Sequence, residues 1–213
     1  MQQIAIVGAG GFGREVKWLI DDINQLHPTW EVIGFFDDAF PSNQKIDSKL
    51  HLGSLQQLNQ WPQVLAVVVA IGNSAIKRQI VQQITNQNIY FPVLQHPRAI
   101  VGKQQVSIGE GSIICANAIV TTDIIIGNHV ALGVASTVGH DCTIHDFVSV
   151  MPSANISGNV TIGEAAYIGT GVNIIQQQNI GAEAIIGAGA VVVTTIPPKC
   201  TAVGVPAKPI KFH

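Results

Sequence analysis

The chain has 213 residues with 11 basic and 13 acidic side chains, so 11% of it is charged, against about 25% in an ordinary globular protein. Apolar residues make up 47% and isoleucine alone fills 30 positions, which excludes a disordered polar chain with too little surface to offset its ordering entropy. The net charge of −2 offers no basic surface to nucleic acid or an anionic membrane. The longest aliphatic run, 64–71, falls far short of the roughly 20 residues that membrane insertion requires.

Met1-Gln2-Gln3-Ile4-Ala5-Ile6 carries neither a basic lead nor a cleavage site, so no secretory signal is expected. Cys115, Cys142 and Cys200 form no paired spacing, no disulfide framework is expected, and a cytoplasmic location follows. Residues 4–7 read as a buried strand. Gly8-Ala9-Gly10-Gly11-Phe12-Gly13 comes next and opens a helix over 13–26, with Val16, Leu19, Ile20 and Ile23 at helical spacing. Such a turn brings backbone close to a diphosphate at the positive end of a helix. A second strand, 32–36, is closed by Asp37-Asp38, where dinucleotide folds place a ribose-binding acid.

A helix over 55–61 and a central strand over 64–71 follow, the strand ending in Ile71-Gly72-Asn73 at the carboxyl edge where such sheets bind ligands. A helix over 75–85 and a short strand over 90–94 lead to His96-Pro97. This alternation predicts a parallel-sheet domain over residues 1–95, with a second domain over 96–213. Glycine spacing alone does not separate a dinucleotide from a nucleotide-sugar. About 95 residues make only half of a full doubly wound domain, which leaves hydride-transfer chemistry without its second half.

From Ile108 to Val192 every sixth residue is a branched aliphatic. Glycine follows several of them, as at Gly109, Gly127, Gly133, Gly139, Gly163 and Gly169, and four places on sits a small residue or valine, such as Ala118, Ser136 or Ala154. A helix returns at three and four, and a plain strand at two. A glycine-punctuated period of six marks a parallel β-helix. The aliphatic points inward, the glycine is expected to let the backbone turn, and the small residue fits the narrow interior. Three hexapeptides per coil predict about five coils, stacked about 4.8 Å apart. Handedness does not follow from the spacing. Between Gln104 and Pro198 there is no Lys or Arg. So sparse a surface predicts prism faces covered by other subunits, in three-fold packing.

Of the seven histidines, His27, His51 and His213 fall in predicted loops or at the end and are expected to be solvated. His96 reads as structural, and His129 and His145 as polar corners of the repeat. His140 stands out because Asp141 follows it and Gly158 lies 18 residues on, so the next coil presents no side chain beside the imidazole. Imidazole suits general-base work, while a solvent-facing histidine is the plain alternative. A zinc site on His140 and His145 lacks a third protein ligand, since the equivalent places hold Gln104 and Thr122, and no metal is expected.

These motifs together resemble the hexapeptide-repeat acyltransferases. Within them the chain looks like the sialic acid O-acetyltransferase and nucleotide-linked 4-amino-sugar N-acetyltransferase family, which joins a small Rossmann-like domain to a left-handed β-helix. The likeness rests on Gly8–Val16, Phe36-Asp37-Asp38, Ile71-Gly72-Asn73, His96-Pro97, Val138-Gly139-His140-Asp141-Cys142 and Gly204-Val205-Pro206-Ala207-Lys208. It implies a left-handed coil, a homotrimer, and acetyl-CoA bound along the prism between two subunits.

By the same resemblance His140 is the general base and Asp141 the acid that holds it. The Gly158 N–H meets the acetyl oxygen, where a donor stabilises a developing oxyanion. Ser149 stands where relatives often carry a second histidine near the acetyl group, and Gly133 where many carry asparagine. Thr170 and Ala188 match positions along the CoA arm. Gly10, Gly11, Phe12, Asp37, Asp38 and Gly72 match positions that meet the nucleotide-sugar. The implied activity is acetyl-CoA-dependent N-acetylation of a nucleotide-linked, UDP-linked 4-amino-sugar for surface glycan synthesis, by direct attack on the thioester. O-acetylation of a sialic acid or other sugar is the alternative of the same class. An NAD(P)- or nucleotide-binding trimeric scaffold without catalysis is the alternative of another class.

Overall fold

Ile4 and Ile6 of the first strand point one way, and Ala5 and Val7 the other. A strand apolar on both sides must be covered on both faces, as in parallel α/β sheets. The computed structural model describes residues 1–39, 45–46 and 49–213. Its first elements are β1 (Gln2–Val7), α1 (Gly11–Leu26), β2 (Trp30–Phe36), β3 (Lys45–Ile46), β4 (Lys49–Gly53) and α2 (Leu55–Asn59). They are followed by β5 (Leu65–Val69), α3 (Ser74–Gln83), β6 (Ile89–Tyr90) and β7 (Leu94–Gln95).

The sheet runs β3-β4-β2-β1-β5-β6, parallel except for β3 against β4. Helix α1 covers Ile4, Ile6, Ala66 and Val68 with Val16, Leu19 and Ile20. The other side, with Ala5, Val7, Val67 and Val69, packs on Leu55 and Leu58 of α2 and Ile80 and Val81 of α3.

Two local expectations change. The strand read over 90–94 is split, because β6 closes the edge of the sheet while β7 is the first strand of the solenoid. The helix over 75–85 is expected to bury Ile76, Ile80, Val81 and Ile84 at helical spacing, yet in α3 Ile76 is exposed, while Ser74 and Lys77 are buried. The helix lies between the sheet and the solenoid, so its second face meets protein as well.

The solenoid has three faces. The first holds β7, then the strands beginning at Ile113, Ala131, Ser149, Tyr167, Ile185 and Cys200, with Lys208–Phe212 antiparallel at its end. The second runs from Ile100–Val101 to Val191–Val192, and the third from Val106–Ile108 to Asn179–Ile180. Inward aliphatics and the small residues between them, such as Ala118, Ala154 and Ala166, form one continuous core.

The solenoid exceeds the expected five coils. It begins at Leu94, ahead of the strict repeat, and continues past Val192 through the Ile180–Ile196 bridge to Cys200–Val203. Pairing with the next coil holds these flanks where the six-residue pattern loosens.

The repeat's glycines do not make the turns. The left-handed corner falls two residues later, at Asn117, Asp123, His129, Ala135 and Asp141, with φ of 52–60°. The glycines instead face the coil above. A Cβ at Gly133 would stand 2.8 Å from the nitrogen of Pro152, and one at Gly169 2.7 Å from that of Ala188. Close stacking of backbone, rather than freedom of φ, fixes glycine there.

The two parts share a core. Leu94, Ile113 and Cys115 of the first solenoid face pack with the α1 side of the sheet. His96 fastens the same junction, its Nε2 2.9 Å from Asp22 Oδ2 while its Nδ1 accepts the Arg98 N–H at 3.0 Å. Among the described residues no helix is long and apolar enough to cross a membrane.

Candidate active site

The corner between the second and third faces carries His140. Its Nδ1 lies 2.7 Å from Asp141 Oδ2. An ionised carboxylate can only accept, so Nδ1 is the donor, and in the neutral ring Nε2 then keeps its lone pair for an incoming group. The left-handed backbone at Asp141, φ 60°, turns its carboxylate back onto the ring.

One coil on, Gly158 leaves the space beside the imidazole empty, for a Cβ there would stand 2.6 Å from Nε2. Among the described residues no backbone carbonyl takes the Gly158 N–H. Side chains of His140 and Asp141 are 65% and 60% exposed, so this pair is open to a ligand rather than built into the core. Cys142, one place further, is buried; its Sγ donates to Ser157 O at 3.1 Å and burial pushes its thiol up, away from nucleophilic chemistry.

The other candidates fall elsewhere. Thr170 and Ala188 are exposed and stacked one coil apart at the corner between the first and second faces. Ser149 is fully buried on the first face, where its hydroxyl accepts from Lys77 Nζ at 2.9 Å, and it lies on a different face from His140.

In the N-terminal domain a cavity of about 170 Å³ opens between Gly8, Phe36, Asp37, Leu55, Ile71 and Ile80. It sits at the carboxyl ends of β1, β2 and β5, where the order of the sheet reverses, and such crevices bind ligands. Asp37 uses one oxygen on the Ala9 N–H and the other on the Ala39 N–H, both at 2.8 Å, and Asp38 takes the Leu55 N–H at 2.9 Å. Both acids therefore shape the loops as well as facing the cavity.

Gly10 caps α1 without a side-chain bond, which leaves the first helical N–H groups for an anion. Gly10 and Gly11 have nothing within 4 Å of a would-be Cβ, and they leave the approach to that end open. Gly13 is fixed by packing, because a Cβ there would run into the Gly8 carbonyl.

Phe12 and Gly72 line a second cleft, of about 200 Å³, between the domains, facing Cys115, Gly133, Val134 and Met151. Gly72 also borders a third, of about 470 Å³, with Asn73, Tyr167, Glu183, Ile185 and His213. His140 lines none of these three cavities. Among the described residues there is no group of three or more His, Cys, Asp or Glu that could hold a metal ion.

Three polar residues differ from their sequence reading or went unread. His51 is buried in β4, with Nε2 2.8 Å from the Asp37 carbonyl, and is not solvated. His129 is buried between Phe91 and Phe147, and burial, helped by nearby Lys77, pushes it down to about 4. Lys77 was readable only as one of several surface lysines. It shares a helical face with Val81 and Ile84, and a lysine on that stripe is the signal that could have revealed it.

The sequence matches the PglD N-terminal domain family over residues 3–84. GDP-perosamine N-acetyltransferase of Escherichia coli O157:H7 is 33% identical over 155 residues, 72% of this chain and 69% of that one. UDP-N-acetylbacillosamine N-acetyltransferase of Bacillus subtilis (strain 168) is 34% identical over 119 residues, 54% of this chain and 52% of that one. The acetyltransferase domain of PglB from Neisseria gonorrhoeae FA1090 superposes with a TM-score of 0.90 at 35% identity, over 99% of this chain and all of that one. In complex with acetyl coenzyme A the same domain superposes with a TM-score of 0.88 at 34% identity, over 98% of this chain and 99% of that one.

Proposed function

The chain belongs to the acetyl-CoA-dependent nucleotide-sugar N-acetyltransferases, and from that premise we propose that it acetylates the 4-amino group of a UDP-linked amino-deoxy-sugar. The observation that carries the reading is the exposed imidazole of His140, with Nδ1–H tied to Asp141 and Nε2 facing the bare edge of Gly158. The sugar nitrogen attacks the thioester carbonyl of acetyl-CoA and forms the C–N bond. His140 Nε2 removes the amine proton, Asp141 stabilises the imidazolium, and the C–S bond breaks to release the thiolate. That thiolate takes the proton from His140, leaving amide and free CoA. A positioned base of this kind supplies about 10²–10⁴ in rate. In this reading the Gly158 N–H, which no backbone carbonyl among the described residues takes, donates to the thioester oxygen as it gains charge.

In this reading residues 1–95 hold the nucleotide-sugar and residues 96–213 the acetyl donor. Phosphates lie on the helix end at Gly10 and Gly11, the nucleoside beside Asp37 and Asp38, and the sugar along Phe12 and Gly72. Thr170 and Ala188 border the CoA arm. Because His140 lies on a different corner from the interdomain clefts, the amine reaches it from another copy, and the working unit is a homotrimer. Exposed Ile100, Ile119 and Ile125 on the second and third faces support such packing. The Bacillus subtilis relative, named for a UDP-linked sugar, supports the choice of nucleotide.

The test is thiol release from acetyl-CoA against UDP-, dTDP- and GDP-linked 4-amino-sugars, with His140→Ala beside the wild type. Acetylation of a UDP-amino-sugar, falling at least ~10²-fold in the variant, is expected. Transfer to a sugar hydroxyl instead, binding of NAD(P) without transfer, or an undiminished rate in His140→Ala would each overturn the proposal.

A further inference from the structure

The N-terminal domain meets the solenoid in two chemically different ways. Around α1 the contact is apolar and continuous with the core. Along α3 it is polar. Ser74 Oγ donates to the Ala166 carbonyl at 2.9 Å, and Lys77 Nζ donates to the Val148 carbonyl at 3.1 Å and to Ser149 Oγ at 2.9 Å. Arg78 reaches Glu164 and Glu183, each at 3.3 Å. Three side chains at helical spacing thus address the first solenoid face and the corner that leads into it.

Lys77 is the unusual member. It is 2% exposed, and among the described residues no carboxylate pairs with it. Burial brings its amine down from 10.5 to about 7. An ammonium placed in that way is a poor device for stability, since apolar replacements of buried charged groups are often neutral or stabilising. What it does supply is direction, because its two acceptors, Val148 O and Ser149 Oγ, fix the place of α3 on the solenoid. The loop entering that helix is Gly72-Asn73; Gly72 lines both interdomain clefts and Asn73 the larger of them.

We propose that Lys77, together with Ser149, is a positioning pair for the nucleotide-sugar: by seating α3 on the solenoid it sets the loop at Gly72 and Asn73 against which the sugar lies. The inference rests on the functional reading above and deepens it. Ser149 then acts through Lys77 from inside the fold, rather than touching the acetyl group.

The experiment compares Lys77→Met, Lys77→Arg and Ser149→Ala with the wild type, in calorimetric binding of the UDP-4-amino-sugar and in steady-state transfer. A loop displaced by a fraction of an ångström is expected to raise the KM and Kd for the nucleotide-sugar ~10-fold in Lys77→Met, with the KM for acetyl-CoA unchanged. Lys77→Arg, which keeps a long donor, is expected to recover most of the loss. Ser149→Ala, which removes a single acceptor and adds no bulk, is expected to shift the same two constants ~3-fold and keeps the proposal testable if Lys77→Met does not fold.

Unchanged nucleotide-sugar constants in folded variants overturn the inference alone, with the wild type still active. A parallel rise in both KM values, together with a lower Tm, also overturns it, by showing a merely structural contact. A wild type that binds no nucleotide-amino-sugar sinks the functional reading and the inference together.

Discussion

Gly158→Ala places one methyl group against the imidazole on which the proposed mechanism turns. Its Cβ would stand 2.5 Å from Cε1 and 2.6 Å from Nε2 of His140, whereas unstrained heavy-atom contacts lie at about 3.5–4.0 Å. The ring must therefore retreat by about 1 Å. It has room to do so, being 65% exposed, and Gly158 is not in the left-handed region, so its backbone is not strained by the change. Stability should then move by less than about 0.5 kcal/mol. Catalysis should not be so tolerant, because a misplacement of about 1 Å costs up to ~10²-fold.

Thiol release at saturating acetyl-CoA and nucleotide-sugar measures kcat, and a thermal melt reports stability. Gly139→Ala is the control, since its Cβ would meet the backbone nitrogen of Gly158 at 2.8 Å, which no rotamer can relieve. That variant should lose about 1–3 kcal/mol of stability, as overpacking does. A Gly158→Ala enzyme with the wild-type kcat and Tm would refute the reasoning, because the ring would have been moved without consequence.

Gly13→Ala drives a methyl into the Gly8 carbonyl, and both partners are main chain. A loss of about 1–3 kcal/mol in urea unfolding is expected, with nucleotide affinity falling at the same time; unchanged stability would show that the turn has slack. His129 makes the fold sensitive to acid. Its folded value is lowered from 6.5 to about 4, so between those limits the unfolded chain binds the extra proton, and stability falls as pH falls through that window. The fall amounts to about 3 kcal/mol from this one group. His129→Phe keeps a ring between Phe91 and Phe147 and should flatten the difference, read as ΔG of unfolding at pH 6.5 and pH 4; an equal slope in both proteins would assign it elsewhere.

What was legible in the sequence follows from which neighbours have a fixed spacing. In a coil of 18 residues, position i always lies beside i+18, so His140 against Gly158 could be read from numbers alone. Thr137, Asn155 and Asn173 obey the same rule, forming a ladder of side-chain hydrogen bonds at 3.0 Å along the second face. The strands and helices of the first domain were readable for a similar reason, since period two or 3.6 acts within one element. The meaning of the repeat's glycines was not, because six-residue spacing marks a position without saying whether the backbone turns there or is crowded from above.

The α3 junction has no period at all. Ser74, Lys77, Val148 and Ser149 are separated by about the length of a domain, and nothing in either segment announces the other. A lysine is read as solvated by default, and a serine in a strand as filler. Only docking turns them into a donor and its acceptor. Ser149 shows how such a contact escapes a motif, since in the fold its hydroxyl accepts from an amine that the adjoining helix presents. The His140 corner escapes this ambiguity because both of its contacts, one residue and 18 residues away, are made within a single repeating body.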